Sequence, residues 1–536
     1  MKSWKRLTAV CLTAGIITGI FTGCGMKQAN VKEEFTEQKG VISYPIETNA
    51  EITYWVPLNA TVSANAATLN DTPFAKRLIE ETGINVKFIH PTQGQEAESF
   101  NLLLASGNTT DIICWSWYSY PGGPDKAIND GMITRLNDLM PDYTPYMSKV
   151  LSENPELDKM VRTDSGTYYN FPVLKPDDKL TVFLGPIIRK DWLDDLGLEV
   201  PETIDEWHSV LTAFKEKKGA DAPLSFAGTN IIKTYGAFVG AFGTIANFYI
   251  DNGKIKYGPL DDPGFKDFLM TFNQWYSEGL LDRNISTIDG KILDTKILNG
   301  NTGATVGFNS SGLGKWLTAK EGDPEFNLTA ARYPSLAKGE MSEFGQKDLP
   351  YSISSTNAAI SAKSKNKAVA ARFLDYAYGE EGHMLYNFGT EGETYEMVDG
   401  EPVFTDLIMD NPEGLSIANA LGQYTHSSYE GAFVSDVRYF NQYLPFEQQQ
   451  EALELWPQTN MAKHLIPRIT PTSEESDEMS KIETELYTYI DEMMLKFIMG
   501  TEPFSNYEQF LQTRRDMGVE RCKEIKQTAL ERYENR

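Results

Sequence analysis

Ordered pattern sets in at Glu51-Ile52-Thr53-Tyr54-Trp55-Val56, where Ile52, Tyr54 and Val56 share one face of a predicted strand and Thr53 and Trp55 the other. Asp71-Thr72-Pro73 then supplies a cap and a first-turn proline. Phe74, Leu78 and Ile79 make a helical stripe, and Gly83 stops it. Ile84, Val86 and Phe88 alternate with Asn85 and Lys87 as the next strand. A helix over about 96–106 ends at Gly107, and the apolar run Ile112-Ile113-Cys114 leads into Trp115-Ser116-Trp117-Tyr118-Ser119-Tyr120. Strand, helix, strand, helix, strand predicts a mostly parallel α/β sheet.

A second block of the same kind starts near Thr181. Val182-Phe183-Leu184 reads as a strand and Asp191 to Leu196 as a short helix ended at Gly197. Thr203-Ile204-Asp205-Glu206 fits a capping box that opens a helix through Trp207, Leu211 and Phe214. Asp262-Pro263 opens another, with the stripe Phe265, Phe268, Leu269, Phe272, Trp275 and Tyr276; Phe272 and Trp275 are expected in the core. Asp251-Asn252-Gly253 reads as a hairpin turn. A long amphipathic helix is predicted over 474–499, stopped by Gly500, with a further capping box at Ser505-Asn506-Tyr507-Glu508. No repeat at a fixed period is present, which argues against solenoids.

The first residues read differently. Lys2, Lys5 and Arg6 precede an apolar stretch, Leu7 to Phe21, that is shorter than the ~20 residues a spanning helix needs, so residues 1–23 are expected to be a cleaved leader. Phe21-Thr22-Gly23-Cys24 resembles the lipobox of bacterial lipoproteins, which implies lipidation of Cys24 and anchoring to the outer face of the cytoplasmic membrane. An ordinary signal peptide with a chance cysteine is the alternative. Residues 24–48 carry no apolar period and are expected to be a lipid-anchored linker. Of the four cysteines, Cys114 and Cys522 remain; they read as buried thiols, with one disulfide between them left open. The formal charge of −26 excludes nucleic acid as a natural partner, because phosphate backbones are bound by basic surfaces. An anionic ligand would require a local cationic patch.

Several stretches together resemble the family 1 extracellular solute-binding proteins, particularly the large lipoprotein branch of Gram-positive bacteria. They are Ile52 to Val56, Ile188-Arg189-Lys190-Asp191-Trp192-Leu193 with Leu196-Gly197-Leu198, Thr203 to Trp207, Gly389-Thr390-Glu391-Gly392-Glu393-Thr394-Tyr395, and Gly500-Thr501-Glu502-Pro503-Phe504. The resemblance implies an α/β, two-lobed, periplasmic-binding-protein-like (type II) fold with a hinge and a helical C-terminal region. Lobe one would hold about 49–175 and 356–395, and lobe two about 180–350 and 400–536. The crossovers would fall near Pro172 to Lys179, Tyr351 to Thr356 and Tyr395 to Pro402. It implies a substrate-binding lipoprotein of an ABC importer, working as a monomer, that delivers a carbohydrate to permease transmembrane subunits.

A sugar site needs flat apolar faces beside polar side chains at strand ends. Trp115, Trp117 and Tyr118 meet that demand after one strand, and Trp55 with Asn59 after the first. Packing against a neighbouring helix is the competing role for each. Asn309 and Trp316 are candidates from lobe two. Arg189 is a candidate whose alternative is a salt bridge within that lobe. Glu391, Glu393 and Tyr395 are candidates near a crossover, with fixing the hinge as their alternative. The five histidines include no pair at zinc-ligand spacing, and no Gly-x-Ser-x-Gly elbow, phosphate loop or complete calcium loop is present. No cofactor or metal is expected, although a structural calcium stays open. The 75 carboxylates leave a surface glycoside hydrolase or lyase as the alternative, beside a binder of peptides or other small solutes on the same scaffold.

Overall fold

A computed structural model describes residues 39–107, 110–228, 235–351, 357–426 and 430–536; the leader and Cys24 lie outside the described residues. Two separate hydrophobic cores organise the chain. The first is built on a four-stranded sheet of β1 (Glu51–Trp55), β2 (Asn85–Ile89), β3 (Ile112–Trp115) and β10 (Asn357–Ile360), in the order β10-β3-β1-β2. β1 runs parallel to β2 and β3, and β10 is antiparallel to β3. The expected alternation holds, but both faces are covered. Ile52, Tyr54, Val86 and Phe88 face one cluster, and Trp55, Ile113, Phe100 and Trp117 face another.

The predicted helices here form as Pro73–Thr82, with Thr72 accepting from the Ala75 amide and Gly83 left-handed at φ 70°, and as Glu96–Ser106, ended by Gly107 at φ 64°. The expected linker is shorter than 24–48. Gly40 donates its amide to Asp142 at 2.8 Å, the Tyr44 hydroxyl donates to the Arg372 carbonyl at 2.9 Å, and the Ile46 amide donates to Thr82 at 2.9 Å. The chain is therefore docked on the first core from residue 40.

The second core surrounds a three-stranded sheet of β5 (Leu184–Arg189) between β8 (Ala304–Phe308) and β9 (Leu328–Ala330), both antiparallel to it. The expected strand at 182–184 begins at Leu184 instead. The capping box is present, with Thr203 accepting from the Glu206 amide at 3.2 Å and opening the helix Ile204–Lys218. Gly264–Glu278 buries Phe265, Phe268, Phe272 and Trp275, and Ser473–Met499 buries Leu486, Ile490, Met494 and Phe497. β6 (Phe248–Asp251) and β7 (Lys254–Tyr257) form the expected hairpin, with Asn252 at φ 49° and Gly253 at φ 75°. The second predicted capping box does not form. Ser505 lies in the 3-10 turn Phe504–Asn506, Phe504 stacks on Phe497 at 5.2 Å, and the helix starts only at Tyr507.

One expected crossover moves. Tyr395 to Pro402 is the start of a hairpin, β11 (Tyr395–Val398) with β12 (Glu401–Phe404), rather than a passage between lobes. The segment beyond it stays with the first lobe, because Ala420 and Leu421 pack with Phe388, and His426 contacts Phe74, Tyr386 and Phe433. β13 (Phe433–Val434) then pairs with β4 (Val173–Leu174), and the chain passes through Val437–Tyr443 to Glu447–Leu455, which packs on β9. Leu180, Phe440, Leu444 and Leu453 form a small cluster of their own where these passages run side by side. The C-terminal helix Val519–Glu534 packs on β7 and Ser473–Met499, and only its last residues reach lobe one. Arg536 bonds Asp164 at 2.7 Å and the carbonyls of Lys159 and Arg162, and Arg532 bonds Asp164 at 3.0 Å.

Candidate functional site

From lobe one, Trp115 at the end of β3 is half-buried and stacks on Phe100 with centroids 4.6 Å apart and 17° between planes; Trp55 meets it edge-on at 5.9 Å. Trp55 is closed in by this cluster at 4% exposure. Trp117 is fully buried, and its indole nitrogen donates to the Ile113 carbonyl at 3.1 Å, so it is a core residue and presents no face to a ligand. Packing against neighbouring elements, the competing role, holds for Trp117, because the chain leaves the strand at Ser116 and turns it inward.

Tyr118 reaches the other lobe. Its hydroxyl donates to the Ile469 carbonyl at 3.0 Å, and the Arg468 guanidinium lies over its ring at 3.4 Å. Tyr351, fully buried, stands on the far side at 5.3 Å, with its hydroxyl accepting from Asn170 at 3.1 Å. Tyr118 and Thr470 are walls of a cavity of about 460 Å³ between the 118–124 loop and the first turns of Ser473–Met499.

A second aromatic pair lies where the crossing segments meet β5 and β8. Phe183 and Phe308 are parallel, 5.9 Å apart with 5° between planes, and Phe308 is 43% exposed. Lys175 sits 5.6 Å from the Phe183 ring and pairs with Asp348 at 3.0 Å. Tyr443 bonds Ser310, and burial raises its phenol pKa. Flat faces beside hydroxyl, carboxylate and ammonium groups can stack on a sugar ring and bond its hydroxyls.

The remaining expected site residues are engaged elsewhere. Asn59 caps the short helix Ala60–Ser63, accepting from the Thr61 amide at 2.9 Å. Arg189 is buried and bonded to Asp191 and to the Glu325 carbonyl, between the rings of Trp192 and Phe326, so its salt bridge within lobe two prevails. Asn309 is buried and donates to the Gln449 carbonyl at 3.0 Å, tying β8 to Glu447–Leu455. Trp316 is buried with its indole nitrogen on Asp294 at 2.8 Å. Glu393 is exposed on the hairpin side of lobe one, while Glu391 and the buried Tyr395 line a different concavity with Tyr44, Arg77, Glu81 and Tyr376. Sequence reasoning missed Phe183 and Arg468. The signal for Arg468 was available: an arginine inside the Pro-flanked apolar run Ile466-Pro467-Arg468-Ile469.

Cys114 and Cys522 are buried free thiols. Among the described residues, no group of three or more His, Cys, Asp or Glu side chains is placed to hold a metal ion, and no helix is long and apolar enough to cross a membrane.

Two α/β cores, joined by several crossing segments with aromatic and polar side chains between them, define a two-lobed solute-binding protein. The chain belongs to the bacterial extracellular solute-binding proteins, whose family model matches residues 66–384. It is 27% identical over 372 residues to lipoprotein LipO of Bacillus subtilis (strain 168), covering 66% of this chain and 70% of that one. It is also 27% identical over 295 residues to the fructooligosaccharide ABC transporter substrate-binding protein FusA of Streptococcus pneumoniae serotype 4 (strain ATCC BAA-334 / TIGR4), covering 52% of each. The crystal structure of alginate-binding protein AlgQ2 without calcium ion superposes with a TM-score of 0.68 at 23% identity, over 90% of this chain and 97% of that one, a likeness of fold.

Proposed function

We propose that this protein captures an oligosaccharide between its two lobes and delivers it to the transmembrane subunits of an ABC importer, without chemistry of its own. The observation that carries the reading is the parallel pair of half-buried Phe183 and exposed Phe308 at the crossing segments, with half-buried Trp115 at the end of β3. Trp115 ends β3 at its carboxyl side, where ligands of open α/β sheets bind, and Phe308 ends β8. The ligands that give FusA and AlgQ2 their names, a fructooligosaccharide and alginate, support a glycan here. Trp115, Tyr118, Phe183, Phe308 and Lys175 are the proposed contacts, with closure about the crossing segments.

The leader and Cys24 fit a lipid-anchored, monomeric protein on the outer face of a Gram-positive cytoplasmic membrane. Cys24→Ser is expected to move the protein from the membrane fraction to the soluble one with an unchanged melting curve; persistent membrane association after a salt wash would contradict it. The capture reading is tested by incubating the protein with an oligosaccharide panel and recovering the ligand. Saturable binding with intact ligand supports it, whereas cleaved product would establish a hydrolase or lyase.

A further inference from the structure

Arg468 is 1% exposed, yet its Nε and Nη1 have no hydrogen-bond acceptor. Among the described residues no carboxylate pairs with it, and its charge is attended by the faces of Tyr118 and Tyr351, at 3.4 and 5.3 Å. Cation–π contacts compensate a small part of the cost of burying a guanidinium, which elsewhere is met by anions or carbonyls. Placement makes the deficit informative. Arg468 and Ile469 come from the segment leading into Ser473–Met499, where Thr470 accepts from the Asp164 amide at 3.2 Å and from Arg536 at 2.8 Å, and Tyr118 follows β3, so the loop after β3 is what closes over the guanidinium. Tyr118 and Thr470 also wall the adjoining cavity; of the carboxylates lining it, Glu483 is paired with Lys526 at 2.9 Å and Asp477 is exposed.

We propose that Arg468 reads a carboxylate of the bound glycan, which makes the substrate an acidic, uronic-acid-containing oligosaccharide. The inference rests on the glycan-capture reading above and narrows it. Displacement of the Tyr118 ring from the guanidinium opens the fork to the adjoining cavity, whose wall Tyr118 forms. Without a ligand the charge stays buried and unpaired, and a uronate entering beside the displaced ring gives its planar donors a bidentate acceptor. The net charge of −26 repels acidic glycans at long range, so recognition has to come from such a local cation.

The test compares trigalacturonic acid, its trimethyl ester and the neutral trisaccharide kestose by titration calorimetry, on the parent, Arg468→Met and Arg468→Lys. The parent is expected to bind the acid at least about tenfold more tightly than the ester, the scale of one charge-assisted hydrogen bond. Arg468→Met should erase that preference and, having removed an unpaired buried charge, melt no lower than the parent. Arg468→Lys, which keeps the charge and loses the fork, should retain part of the preference and covers the case in which the methionine variant misfolds. Equal affinity for acid and ester in the parent overturns the inference, as does an acid preference that survives in either foldable variant at full strength. Binding of kestose alone overturns it while leaving glycan capture standing, and binding of no glycan overturns both.

Discussion

Arg189 and Arg468 are both buried and both lie between two aromatic rings, yet they play opposite parts. Arg189 closes β5 and finds everything within its own lobe: the Asp191 carboxylate two residues on, the Glu325 carbonyl at 3.0 Å, and the faces of Trp192 and Phe326. Arg468 has the rings without the acceptors, and the rings belong to the other lobe and to a crossing segment. A third arginine sharpens the contrast. Arg514 also has unpaired Nη1 and Nη2, but its Nε donates to the Phe510 carbonyl at 3.3 Å, and burial pulls its pKa down to about 10 inside a single packed region. Burial against aromatic faces therefore does not separate a structural arginine from a recognising one. The number of acceptors, and whether the neighbours share one core, does.

The largest way to break the comparison is to give Arg189 the deficit of Arg468. Asp191→Ala leaves a guanidinium buried without its counter-charge and is expected to cost about 3–5 kcal/mol in urea unfolding. A loss under about 1 kcal/mol would mean that the pair is not what holds that end of β5.

Trp117→Ala should cost a similar amount, about 3–5 kcal/mol, from the cavity it leaves. Trp115→Ala should cost less stability and instead weaken glycan binding by about 1–3 kcal/mol. A binding loss confined to Trp117→Ala would reverse the assignment.

Histidines repeat the contrast of paired and unpaired groups. His464 in lobe two has Glu343 at 2.7 Å, whereas His426 in lobe one is ringed by Phe74, Tyr386 and Phe433 and its ring bonds the Glu430 carbonyl, at 2.6 Å. Burial lowers the His426 pKa from 6.5 to about 4. The folded pKa lies below the unfolded one, so its contribution is fully present above about pH 6.5 and is lost as pH falls toward 4. That loss amounts to roughly 3 kcal/mol at most. Urea midpoints between pH 7 and 4 should fall more steeply for the parent than for His426→Gln; parallel slopes would remove His426 from the account.

The helices were legible because their signals are local. Thr72-Pro73, the Thr203 and Glu206 box and the stops at Gly83, Gly107, Gly279 and Gly500 each act within a few residues. β5 was misplaced because Gly185-Pro186 reads as a break. Here Gly185 lies in the central strand of its sheet, and an added Cβ would come within 2.4 Å of the Trp456 indole. The candidate site was less legible. A sheet covered on both faces makes alternation a poor guide to exposure, so Trp55 and Trp115 looked alike to pattern but differ in what covers them. The 400–434 region was assigned to the wrong lobe because chain order says nothing about which core receives Leu421 or Phe433. Phe183 and Arg468 owe their interest to partners far along the chain, Phe308 and Tyr118.

Oligosaccharide capture between the lobes rests on the Trp115 and Phe308 surfaces. It is tested most directly by calorimetric titration of the parent, Trp115→Ala and Phe308→Ala with the glycan that most raises the melting temperature. The account predicts saturable binding of one glycan per chain by the parent, weakened by about 1–3 kcal/mol in each variant that still melts as a folded protein. Absence of saturable binding to any glycan, or equal affinity in all three proteins, would contradict it.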